Sequence, residues 1–217
     1  MTGEFSEAQT REGAAPVRTG RTGGITGAPA GPFDVCEATR APAREGFSEF
    51  SEPLKSARII AVDIGAHGAA ALLDGAGALL DVVDLPTLDA GPACRPEISP
   101  ALFAGIVRRW APARAWVEHI GPRLGDRPAG AFAFGGSKAT VETTLAVLGI
   151  PFRSITPAVW KRAAGIPAGK GMKDLARSRA IERWPDRADL FARKLDHDRA
   201  EAALIGWAGL QREGMGR

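Results

Sequence analysis

Residues 58–65 read RIIAVDIG, an apolar run that ends on Asp63 and is closed by Gly65. Four apolar residues in succession, three of them β-branched, predict a strand. Two more short runs follow, GAAALLD (68–74) and ALLDVVDL (78–85), separated by HG and DGAG turns that suit hairpins. Three antiparallel strands in a meander are therefore expected. Beyond them the pattern alternates. A helix is predicted over 99–110, with Ser99 as its cap and Pro100 at its first position, where a missing N–H costs nothing. The strand ARAWVEH (113–119), a long apolar-faced helix near 131–148 closed by Gly149, and the strand PFRSIT (151–156) come next. Thr156 and Pro157 then open a short helix bearing Trp160, Lys161 and Arg162. The loop IPAGKG, a helix KDLARSRAIERW stopped by Pro185, and a last helix near 198–211 complete the chain. The order β-β-β-α-β-α-β-α-α-α makes an α/β protein, a mixed five-stranded sheet flanked by helices, with two right-handed crossovers.

Acids at the ends of these elements point to chemistry. Asp63 ends the first strand and Glu118 ends the run WVE, while Asp198 and Glu201 open the last helix three residues apart, on one face. Taken singly, each has a plain use: an Asp before Gly caps a turn, and acids at a helix start suit its dipole. Taken together, carboxylates converging at strand ends need a positive partner, because burial disfavours their charged form. Oxygen donors without a Cys or His cluster favour a hard cation, Mg²⁺ or Mn²⁺, over zinc. That donor set suits two-metal phosphodiester hydrolysis. KLDHD offers Asp196 as a competitor to Asp198, and Asp198 is preferred for its i, i+3 partner. His197, between them, is read as a helix-start residue without a ligand role.

Charge divides the chain. Its 217 residues carry a net +3, yet residues 1–56 hold 6 Lys+Arg against 8 Asp+Glu, whereas 57–217 hold 22 against 17. Residues 1–56 are rich in Gly, Pro, Ala and Thr and lack periodicity, so a disordered N-terminal extension is expected, followed by one domain over 57–212 and a short tail over 213–217. Cys36 and Cys94 have no metal-ligand spacing. With no apolar run of about 20 residues and no signal-peptide core, a soluble, cytoplasmic protein without a membrane partner is expected.

The basic excess is concentrated in 153–183, where Arg153, Lys161, Arg162, Lys170, Lys173, Arg177, Arg179 and Arg183 face only Asp174 and Glu182. Lys161, Arg162, Lys170, Lys173 and Arg177 are the expected nucleic-acid contacts, and Arg179 and Arg183 a solvated helix face. Trp160 and Trp184 read as core. AFAFGGSKAT (131–140) lacks the spacing of a phosphate loop, and its glycines read as close helix packing.

These segments carry a resemblance. IIAVDIGAHGAAALLD, DLPT, WVEHIG, AFAFGGS with VETTLAVLGIP, ITPAVWKRAAGIPAGKGMKDLARSRAIERWP and ADLFARKLDHDRAEAALIGWAGL resemble the RuvC-type Holliday junction resolvases, crossover junction endodeoxyribonucleases of the ribonuclease H-like superfamily, and particularly a compact bacterial and phage-like subgroup. The likeness covers about 57–212. It implies that Asp63, Glu118, Asp198 and Glu201 hold two Mg²⁺ ions, that water attacks the scissile phosphate in line to leave a 5′-phosphate and a 3′-hydroxyl, and that the enzyme is a homodimer acting on four-way DNA in recombination and repair. The chain departs from the family in Glu201, where many members carry Asp, and in HIGPRLGDRPAG, where better-known resolvases place an aromatic. Two other readings keep the fold: a nuclease with another nucleic-acid substrate, and a DNA-binding module that does not cut. An actin-like or sugar-kinase phosphotransferase also begins with a strand ending in DxG, but needs a far longer chain.

Overall fold

The computed structural model describes residues 57–65, 67–88, 96–119, 121, 127–167 and 173–215. The expected extension over 1–56, Lys170 and both cysteines lie outside them. Strands β1 (Ile59–Asp63), β2 (Ala69–Leu73) and β3 (Leu79–Asp84) form the antiparallel meander. The turn between β2 and β3 is held by Asp74, whose carboxylate accepts from the backbone N–H groups of Ala76 and Ala78 at 2.9 and 2.8 Å. Gly77 supplies the positive φ of +93° there. A two-residue ladder, β4 (Thr87–Leu88) with β5 (Glu97–Ile98), was not foreseen and leads into α1 (Pro100–Trp110). Ser99 caps α1, its hydroxyl accepting from the Leu102 N–H.

Strand β6 (Arg114–Glu118) lies parallel to β1, and β7 (Phe152–Ile155) parallel to β6. Between them runs α2 (Pro128–Val147), and α3 (Pro157–Ala163), α4 (Lys173–Arg183), two 3-10 segments (Pro185–Phe191 and Lys194–Asp196) and α5 (His197–Met215) follow. The sheet order β3-β2-β1-β6-β7 is the mixed five-stranded sheet of the ribonuclease H-like fold. Among the described residues, no helix is long and apolar enough to cross a membrane.

Alternation splits the core in two. Ile60 and Val62 point toward α1 and α2, meeting Phe103, Val107 and Leu145, while Ile59, Ala61 and Trp116 point toward α5, meeting Ala203 and Leu204. Small residues bring α5 onto the sheet. A Cβ at Gly209 would lie 2.5 Å from Cδ2 and Cγ of Trp116, and one at Gly206 would lie 2.9 Å from the Ala61 Cβ.

Three expectations need correction. Among the described residues, the glycines of AFAFGGSKAT do not mediate packing, because a Cβ at Gly135 or Gly136 meets none of them within 4 Å. Helix α2 starts three residues earlier than expected, at Pro128, and buries only Val141, Thr144 and Leu145, leaving Phe132 85% exposed. Helix α5 runs on to Met215, so the stretch assigned to a tail is helical there. Glu213 explains the extension: its carboxylate lies 2.8 Å from the guanidinium of Arg114, a buried residue at the start of β6.

Candidate metal and nucleic-acid site

Register brings the first two acids together. The pairing Val62↔Val117 sets Asp63 and Glu118 at one level on adjacent parallel strands, and strand parity aims both toward α5. Asp63 is 6% exposed and ends its strand, where the chain must turn sharply. The glycine that permits the turn is Gly68, since a Cβ there would strike the Asp63 carbonyl oxygen. Gly65, by contrast, has ordinary space, with its nearest neighbour at 3.5 Å.

Helix α5 brings the second pair. Burial pushes the Asp63 carboxyl well above the usual carboxylate range, and the negative charges of Glu118, Glu201 and Asp198 push it further, as does a hydrogen bond with Glu118. Four carboxyls from β1, β6 and α5 therefore share one electrostatic environment, although 138 residues separate Asp63 from Glu201. Glu118, half-buried, accepts from Trp160 Nε1 at 2.8 Å. Asp198 lies 3.0 Å from His197 Nε2, and His197 Nδ1 faces the Lys194 carbonyl at 3.2 Å.

Asp196 has a different occupation. It accepts from the backbone N–H of Arg193 at 2.7 Å and from two nitrogens of the Arg193 guanidinium at 3.0 and 2.7 Å. Burial pushes the Asp196 carboxyl up, but the Arg193 hydrogen bonds and the charges of Arg193 and Arg199 outweigh it and hold the group below its ordinary value. Arg199 extends this anchor, forking onto Asp84 at the end of β3 with two contacts of 2.6 Å. The first turn of α5 is thereby tied to the sheet edge.

The donor set fits a hard divalent cation: its four side chains offer oxygen ligands only, and the deepest of them, Asp63, is buried. Among the described residues, no three His, Cys, Asp or Glu side chains are already drawn tightly enough together to hold a metal ion.

The predicted basic contacts separate. Lys161 and Arg162 sit in the last turn of α3, with Lys161 Nζ 5.1 Å from the centre of the Trp160 ring. Lys173 begins α4. Arg177 braces the fold: its guanidinium donates to the carbonyls of Phe191 and Ala192 at 3.0 and 2.9 Å and lies 3.6 Å from Asp174. Arg179 pairs with Glu182 at 2.8 Å, and Arg183 stacks 3.6 Å over Trp207. Burial lowers the Arg183 guanidinium from its ordinary value.

No protein-family profile matches the chain, and no curated protein matches it in sequence. Solved structures do match. RuvC of Thermus thermophilus in complex with a Holliday junction substrate superposes with a TM-score of 0.51 at 16% identity, over 73% of this chain and 96% of that one. A second structure of Thermus thermophilus RuvC gives 0.50 at 17% identity over the same shares. At this identity the likeness establishes the fold.

Proposed function

We propose that this chain is a Mg²⁺-dependent, structure-selective endodeoxyribonuclease that resolves four-way or branched DNA junctions. The observation that carries the reading is the buried Asp63 carboxyl, surrounded by the negative charges of Glu118, Asp198 and Glu201. Such an arrangement is costly in a folded protein with all four groups ionised unless a cation occupies it. Asp63 and Glu118 hold the site from the sheet, and Asp198 and Glu201 close it from α5. These four carboxylates would hold Mg²⁺, whose positive charge would lower the pKa of an attacking water and stabilise the departing oxygen. Lys161, Arg162, Lys170 and Lys173 are assigned to phosphate contact, since Lys161 and Arg162 directly follow Trp160, which touches Glu118. A homodimer belongs to the proposal, because symmetric cutting of a two-fold junction takes two sites.

The experiment compares a synthetic four-way junction, a linear duplex and a single strand, each with Mg²⁺ or with EDTA. Junction-selective cutting in Mg²⁺ alone is expected. Equal cutting of all three substrates would point to a nuclease with another target, and binding without cutting to a non-cleaving module.

A further inference from the structure

Trp160 is fully buried, as a core residue should be, but its polar edge has a specific use. It rises from α3, the short helix after β7, and its indole N–H reaches sideways to Oε1 of Glu118 at the end of β6, 2.8 Å away. Indole is a donor only, so this contact can hold nothing but an acceptor oxygen. The same Glu118 carboxyl also meets Asp63. One oxygen-bearing group is thus fixed between a rigid donor and the deepest acid of the site.

Packing alone does not require the bond. Trp116, 3% exposed in the same core, has an indole N–H without an acceptor among the described residues. Glutamate, with three side-chain torsions, needs some restraint to meet a cation in one geometry, and groups that hydrogen-bond a metal ligand typically supply it. We propose that Trp160 is a positioning residue, holding the Glu118 carboxylate in the orientation that binds divalent metal, so that the cation affinity of the site depends on the indole N–H. This inference rests on the proposed metal site. Lys161, whose ammonium lies against the Trp160 ring, links the same indole to the surface assigned to phosphate.

The test uses the full chain and Mn²⁺ as the probe, with free Mn²⁺ followed by electron paramagnetic resonance and no DNA present. Two changes are compared with the wild type: Trp160→Phe, and replacement of Trp160 by its benzothienyl isostere, in which sulfur takes the place of the N–H and the volume is kept. The isostere keeps the inference testable should Trp160→Phe fail to fold. Both are expected to raise the Mn²⁺ Kd about 10–100-fold, with the isostere leaving the far-UV circular dichroism unchanged. In a Glu118→Gln background the isostere should produce no additional weakening. A wild-type Kd in the isostere, with tight binding by the wild type, would overturn the role of Trp160 and leave the metal site standing. Failure of the wild type to bind Mn²⁺ would overturn both.

Discussion

Gly209→Ala tests how tightly α5, which carries half of the acids, is seated on the strands that carry the others. The added methyl would lie 2.5 Å from two ring carbons of Trp116. Carbon atoms pack at about 3.5–4.0 Å, so the shortfall is about 1 Å. The ring cannot yield easily: Trp116 is 3% exposed and stands in β6, hydrogen-bonded between β1 and β7. The helix must therefore lift. Overpacking of this kind costs about 1–3 kcal/mol, against a gain of about 1 kcal/mol from replacing glycine inside a helix. Gly136→Ala is the internal control, since it takes the same helical gain on α2 with open space around its Cβ. Urea titration of both variants should show the Gly136 variant up to about 1 kcal/mol more stable than wild type and the Gly209 variant less stable, by up to about 2 kcal/mol. A Gly209 variant as stable as the Gly136 variant would refute the tight seat.

Asp63→Asn should stabilise the metal-free protein. Burial and three negative neighbours raise the folded-state pKa of Asp63 above its unfolded value, so the folded state binds the extra proton between the two. Wild-type stability therefore falls as pH rises from about 4 toward the folded pKa. The Asn variant lacks that slope, and in EDTA at neutral pH its gain should be about 1–2 kcal/mol, vanishing below about pH 3; a variant less stable than wild type at pH 7 would contradict this. Lys161→Ala should reduce the slope of log junction affinity against log salt by about 1. Arg177→Ala should instead cost about 1–2 kcal/mol of stability through its lost backbone contacts and leave the salt slope unchanged, and the reverse pattern would place Arg177 itself in the DNA surface.

Strands β1, β2 and β6 were legible because burial on both faces writes itself as apolar runs, and Asp63 and Glu118 stand out as interruptions at their ends. The i, i+3 spacing of Asp198 and Glu201 was legible for a similar local reason. What escaped depends on contacts distant along the chain. Nothing near Trp160 announces that its N–H meets a carboxylate 42 residues earlier, and nothing near Arg177 announces the carbonyls of Phe191 and Ala192. Glycine was read in the wrong place for the same reason. GG at 135–136 attracts attention as a pair, whereas Gly206 and Gly209, set apart in IGWAGL, are the ones pressed against Ala61 and Trp116. The end of α5 was likewise concealed, because Glu213 finds its ionic partner at Arg114.

The most direct measurement of the central claim, that four acids from β1, β6 and α5 form one divalent-cation site, is single-turnover cleavage of a synthetic four-way junction in Mg²⁺ alongside equilibrium binding of the same junction. Asp63→Asn, Glu118→Gln, Asp198→Asn and Glu201→Gln are each expected to abolish cleavage while junction affinity stays near that of the wild type, because each removes a metal ligand and no phosphate contact. Wild-type cleavage rates in any one of them would contradict the four-acid site.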